Sequence, residues 1–190
     1  MAAQEGNVGS PANEPELVRQ AQQGEEAAFT ALYQAHLDRV YRFLYLNTGH
    51  QQNAEDLTAQ VFMKAWEKLG SYRERGVPFG AWLFRIARNA MIDHVRARRE
   101  TESLEHPAAL VLTNGQSVES EVEQRLVGEE LVRDLQELTA EQRQVVVLKL
   151  VEGYSTEEVA RALNRKPGAI RGLQMRGLQA LAGMRRRKYD

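Results

Sequence analysis

The chain has 190 residues, 43% of them hydrophobic and none of them cysteine, enough for one ordinary domain or two small ones and without thiolate metal sites, redox pairs or cysteine nucleophiles. No window approaches the roughly 18 uninterrupted apolar residues of a membrane span, and the opening residues lack the basic start and apolar core of a secretion signal, so a cytoplasmic protein is expected. The net charge of −1 conceals a segregation: −4 over residues 1–70, +4 over 71–100, −9 over 101–158 and +8 over 159–190, which sets two basic blocks, the usual footprint of polyanion binding, into an acidic chain.

Few prolines and β-branched residues without alternation predict an all-α protein. Residues 1–15 are small and polar and read as a disordered leader. From Phe29, the apolar positions Leu32, Tyr33, His36, Leu37, Val40, Tyr41, Leu44 and Tyr45 repeat with helical spacing over four turns, and Gly49 ends the helix. Asn53 reads as the cap of a second helix, with Asp56 as its capping-box carboxylate, running to about Leu69. Residues 73–78 read as a loop, and helical periodicity resumes from Phe79 to about Arg99. These elements make a first domain over residues 16–100.

Residues 101–118 lose periodicity and contain Pro107, Asn114, Gly115 and Ser117, the composition of a flexible linker. A second small helical domain, residues 119–190, follows. Leu126, Val127, Glu130, Leu131, Leu135 and Leu138 form one stripe, and Thr139 caps a further helix that stops at Gly153. Ser155 with Glu158 three residues later is a capping-box pattern.

Counting Thr156 as the first position, Ala160 is fifth, Asn164 ninth and Ile170 fifteenth. This is the spacing of a helix-turn-helix: a small residue where the helices cross, a residue that tolerates positive φ at the turn, and a branched residue closing the core. Pro167 suits the first position of the second helix. That helix carries Arg171 and Arg176, is preceded by Arg165 and Lys166, and is followed by Arg185, Arg186, Arg187 and Lys188. Arg171 can donate two hydrogen bonds to a guanine, whereas the terminal cluster suits phosphates.

The second basic block is also periodic. At about 100° per residue, Arg88, Asn89, Ile92, Arg96 and Arg99 lie within about 60° of Arg85. Leu83, Ala87, Ala90 and His94 face the other way and should supply core, and Trp82 sits at the margin. A cationic strip with an amide and neighbouring aromatic faces, here Tyr72, Phe79 and Trp82, is what single-stranded nucleic acid needs. An aromatic at helical spacing is as simply placed in a core, and both readings stay open at this point; His36 reads as a core histidine. No phosphate-cradling loop, His-Glu-x-x-His or nucleophilic triad stands out, so neither an enzyme nor a cofactor or metal is expected.

Two stretches together resemble one family. Ala54-Glu55-Asp56-Leu57-Thr58, Val61-Phe62-Met63-Lys64-Ala65-Trp66 and Ala81-Trp82-Leu83-Phe84-Arg85-Ile86-Ala87-Arg88-Asn89 with Ile92-Asp93-His94 resemble the core-binding and promoter-melting regions of the extracytoplasmic-function (ECF) sigma factors. Leu138-Thr139-Ala140-Glu141-Gln142-Arg143 and Gly153-Tyr154-Ser155-Thr156-Glu157-Glu158-Val159-Ala160 resemble their C-terminal domain. The resemblance covers about 25–100 and 120–184. It implies that Asp56, Leu57, Gln60, Val61 and Lys64 dock on core RNA polymerase, whose β′ clamp and β flap are the implied partner surfaces. It implies minus-ten recognition and melting by Tyr72, Phe79, Trp82, Arg85, Arg88, Asn89, Arg96 and Arg99, with Asn89 in a base pocket. Minus-thirty-five recognition would fall to Arg165, Lys166, Gly168, Ala169, Arg171, Gly172, Met175 and Arg176, and an anti-sigma protein would be a further partner. The competing expectation is a self-standing helix-turn-helix regulator.

Overall fold

Every regular element that the computed structural model describes is helical. It describes residues 11, 13–73, 77–102, 128 and 130–189, with side chains outside 98–102 and 188–189. In chain order the helices are α1 (Glu14–Gln22), α2 (Glu26–Thr48), α3 (Gln51–Lys68, closed by a 3₁₀ turn at Leu69–Ser71) and α4 (Phe79–Glu102). A helical stretch at 130–136 precedes α5 (Ala140–Val146), which widens into a π turn over Val147–Val151, and then come α6 (Thr156–Leu163) and α7 (Pro167–Tyr189).

The stripe on α2 lines the core of the first domain: Leu32, His36, Val40, Phe43 and Leu44 are buried. Phe84 of α4 meets Phe43 edge-on, with ring centroids 5.1 Å apart, an arrangement that adds to the burial of both rings. Gly49 adopts φ 71° and its N–H caps Tyr45 O, a left-handed C-terminus that favours glycine. The reversal there is tight enough that α3 starts at Gln51 with His50 at its N-cap. Asn53 therefore lies inside the first turn and caps nothing, and Asp56 accepts a hydrogen bond from Gln52 Nε2 at 3.3 Å. The expected capping pair is corrected accordingly.

Two boundaries also shift. Helix α1 begins at Glu14, inside the stretch read as leader, because the Glu14 carboxylate is buried against His36 Nε2 at 2.6 Å; residues 1–10 and 12 lie outside the described residues. Helix α4 continues to Glu102, so the first two residues of the expected linker are helical, and 103–118 lie outside the described residues. Leu83, Ala87 and Ala90 are core as expected, whereas His94 is only half-buried.

In the second domain, both expected caps form. Thr139 and Gln142 make a reciprocal capping box on α5, and Ser155 and Glu158 make one on α6, each satisfying N–H groups that the first helical turn leaves open. Leu135 and Leu138 of the predicted stripe are buried, Leu131 is exposed, and Leu126 and Val127 lie outside the described residues. Asn164 takes φ 52° at the turn between α6 and α7. Ala160 and Ile170 are buried on either side of it. The spacing read from the sequence is a folded helix-turn-helix.

The two halves pack on one another, α4 against α6 and the end of α2 against α5 and its π turn. Gln136 Nε2 donates to Leu46 O at 3.1 Å and Arg143 Nη1 to Asn47 O at 2.9 Å, so side chains of the second half satisfy open carbonyls at the end of α2. Burial in this seam pulls the Arg143 guanidinium below its ordinary pKa.

Candidate nucleic-acid interface and docking face

Helix α3 has two distinct sides. Ala54, Leu57, Thr58, Val61 and Ala65 face the core, with Leu57 1% and Val61 0% exposed. Neither can touch a partner, which corrects the expectation of direct docking through these two side chains; their part is to hold the helix in place. The outer face carries Asp56 and Gln60, both exposed, and Lys64 stands half-buried at its edge, 3.9 Å from Asp93. Sequence reasoning missed Met63, 65% exposed, and Trp66, 42% exposed and edge-on to Phe29 at 4.7 Å. The signal was available: Asp56, Gln60, Met63 and Glu67 fall on one line of the helix, at spacings of four, three and four. The result is an acidic rim around exposed apolar side chains, the anatomy of a protein-docking patch.

The basic helix α4 presents Arg85, Asn89 and Arg96 to solvent, with Arg88 half-buried beside them; the Arg99 side chain lies outside the described residues. The aromatic members sit differently from the expectation. Tyr72 and Phe79 are 6% and 2% exposed. Tyr72 Oη donates to Val77 O at 2.8 Å, and Gln22 Nε2 donates to Leu69 O and Tyr72 O, at 2.9 Å each. Their rings pack on Trp82 at 5.0 and 5.4 Å between centroids. Tyr72 and Phe79 are thus the floor beneath Trp82, and only the half-buried Trp82 offers an edge next to the cationic strip. Bulky apolar rings in a small domain are needed for its core, and that need wins here.

At the other end of the chain, the turn and the first half of α7 are open. Arg165, Lys166, Gly168, Ala169, Arg171, Met175 and Arg176 are exposed and Gly172 is half-buried. At about 100° per residue, Arg171, Gly172 and Met175 lie within about 60° of Gly168, opposite the buried Ile170 and Leu173. This face combines a bidentate donor in Arg171 with a long apolar side chain in Met175, suited to a guanine edge and a thymine methyl. Arg165 is paired with Glu141 of α5. A shallow cleft between the halves is lined by Arg88, Glu141, Gln144, Leu163, Arg165 and Leu173.

Among the described residues, helices alone, an exposed apolar patch with an acidic rim, a cationic helix edged by tryptophan and a helix-turn-helix are the features of a modular DNA-reading protein. Comparison with known proteins narrows the class. The model of Sigma-70 region 2 matches residues 32–101 and that of Sigma-70, region 4 matches residues 129–181, together more than half of the chain. The chain is 37% identical over 170 residues to the ECF RNA polymerase sigma factor BldN of Streptomyces coelicolor, covering 88% of this chain and 64% of that protein; it spans just under two thirds of that relative's length. Among solved structures it resembles CnrH, solved in complex with the cytosolic domain of CnrY, with a TM-score of 0.70 and 26% identity over 90% of this chain and 96% of that one. It shares its fold with the sigma factor RpoE of Bartonella quintana, solved with the anti-sigma factor NepR, at a TM-score of 0.69 and 24% identity over 83% of this chain and 96% of that one. The chain belongs to the sigma-70 family, in its extracytoplasmic-function branch.

Proposed function

We propose that this chain is a dissociable sigma factor: it binds core RNA polymerase in the cytoplasm, has no catalytic chemistry of its own, and directs initiation at promoters carrying minus-ten and minus-thirty-five elements. The observation that carries this reading is the pairing of two unlike nucleic-acid surfaces on one chain. The strip of Arg85, Arg88, Asn89 and Arg96 with the Trp82 edge suits an opened strand, and the face of Arg171, Gly172 and Met175 suits duplex. The residues divide into a promoter-melting domain over 14–102 and an upstream-reading domain over 130–189, with the β flap of the polymerase as a further contact. Asp56, Gln60, Met63 and Trp66 form the patch for the β′ clamp, with Lys64 at its border. A fold shared with a sigma factor solved in complex with an anti-sigma factor supports a similar protein partner here.

Run-off transcription on a genomic fragment library, with core polymerase and with or without this protein, tests the reading. Protein-dependent starts sharing two upstream elements at one spacing are expected. Tight duplex binding by the protein alone, with no new starts, would instead mark a self-standing regulator. In the same assay, Arg171→Ala should lower start-site use by roughly five- to 150-fold, the equivalent of about 1–3 kcal/mol for one bidentate base contact. The loss should vanish on templates mutated at the base pair that Arg171 reads, and a uniform loss across all upstream sequences would reassign Arg171 to phosphate.

A further inference from the structure

Helix α1 reaches both rings that carry Trp82, one from each of its ends. At its first residue, Glu14 Oε1 lies 2.6 Å from Nε2 of the buried His36, and the His36 ring packs edge-on to Phe79 with centroids 5.5 Å apart. At its last residue, the side-chain amide of Gln22 donates to Leu69 O and Tyr72 O, at 2.9 Å each. These carbonyls flank the 3₁₀ turn that closes α3. Leu69 O also accepts from Tyr72 N at 3.0 Å, and Tyr72 O from Arg73 Nη1 at 2.8 Å. Between its two contacts α1 spans about 12 Å, at about 1.5 Å per residue, and Val18 and Ala21 bury that span in the core. Helix α1 also precedes the stretch that aligns with Sigma-70 region 2.

The two rings are not held alike. Phe79 opens α4 and moves with Trp82, which lies on the same helix. Tyr72 belongs to the turn after α3, so its place against α4 depends on hydrogen bonds from outside that helix. Its own Oη donates to Val77 O at 2.8 Å, and Gln22 ties its carbonyl to α1. The Trp82 ring lies tilted over both, 48° from Tyr72 and 37° from Phe79. Trp82 and Asn89 are seven residues apart on α4, which at about 100° per residue sets them within about 20° of one another. The tilt of the indole therefore decides which surface an unpaired base beside Asn89 meets. Gln22 is itself exposed, so its contribution is the two hydrogen bonds and not core packing.

We propose that α1 is a brace for the strand-reading site and that Gln22 is its positioning residue, fixing Tyr72 and through it the plane of Trp82. The brace touches no DNA. It keeps the stacking surface in place before the strand arrives, so that little ordering is left to be done on binding. This inference rests on the sigma-factor reading and assigns a role in base recognition to a helix remote from the cationic strip.

Two variants of the full-length protein test it. Gln22→Ala removes the amide, and Gln22→Glu keeps its shape but sets a carboxylate without N–H donors against two carbonyl oxygens. The chain has two tryptophans, so in a Trp66→Phe background Trp82 is the only indole, and either variant should raise its quenching by acrylamide in the free protein. In permanganate assays with core polymerase and promoter duplex, at a temperature below every variant's melt, Trp82→Ala should lower opening by roughly five- to 150-fold, as expected for one lost base–aromatic stack. Either Gln22 variant should lower it by part of that, about three- to tenfold. Added to Trp82→Ala, Gln22→Ala should cost less than about a further twofold, because both changes remove one interaction. A general loss of stability would instead add in full. The proposal is overturned if acrylamide quenching of Trp82 is the same with and without Gln22, if neither variant impairs opening, or if the losses from Gln22→Ala and Trp82→Ala multiply. Absence of protein-dependent starts with the wild-type chain would instead overturn the sigma reading, and the quenching would still decide whether α1 sets Trp82.

Discussion

Asn89→Ala is expected to reduce promoter opening by about tenfold or more while leaving the fold intact. Asn89 is exposed on α4, between Arg85 and Arg96 along the cationic strip, so its truncation removes no core contact. An amide that pairs with the edge of an extruded base contributes about 1–3 kcal/mol, and about 1.4 kcal/mol is a factor of ten. The measurement is permanganate reactivity of unpaired thymines in a complex of core polymerase, this protein and promoter duplex. The signal should fall in proportion, with formation of the closed complex and the thermal melt unchanged. Opening at the wild-type level would remove Asn89 from the base pocket, and the strip would then act through charge alone.

Phe43→Ala is expected to cost about 3–5 kcal/mol of stability, since a fully buried aromatic is replaced by a methyl group and a cavity remains. Phe43 is 0% exposed in the C-terminal third of α2 and packs on Phe84. Phe84 in turn meets Tyr154, so the cavity also loosens the seat of the second half. Against the usual 5–15 kcal/mol for a whole domain, the loss is a large share. Urea denaturation followed by circular dichroism should show the midpoint moving down accordingly. A loss under about 1 kcal/mol would mean that α2 and α4 are not held together by this aromatic pair.

The chemistry of each half was legible where local rules govern. The helix-turn-helix could be read from Ala160, Asn164 and Ile170, and the two boxes at Thr139 and Ser155 from a three-residue spacing, because capping and turn geometry depend on residues within one helical turn. The cationic strip of α4 followed in the same way from a period of 3.6. Local rules misled at Asn53, a good cap in isolation, because the left-handed turn at Gly49 starts α3 three residues earlier. They also misled at Glu14, whose burial depends on a histidine 22 residues away.

The sequence by itself therefore determined an all-α chain, its helix-turn-helix, the faces on which its arginines lie and, through motif resemblance, its family. These properties are set by short-range periodicity and capping. Only the tertiary structure decided which aromatic side chains remain available, placing Tyr72 and Phe79 beneath Trp82, and which residues of α3 face outward. It alone joined Glu152 to Arg39 and Arg42 and seated Tyr154 beside Gly80, contacts that span more than seventy residues. A buried ion pair such as that of Glu152 with Arg39 leaves no periodic trace, because either partner on its own reads as an ordinary solvated charge until the fold removes both from water.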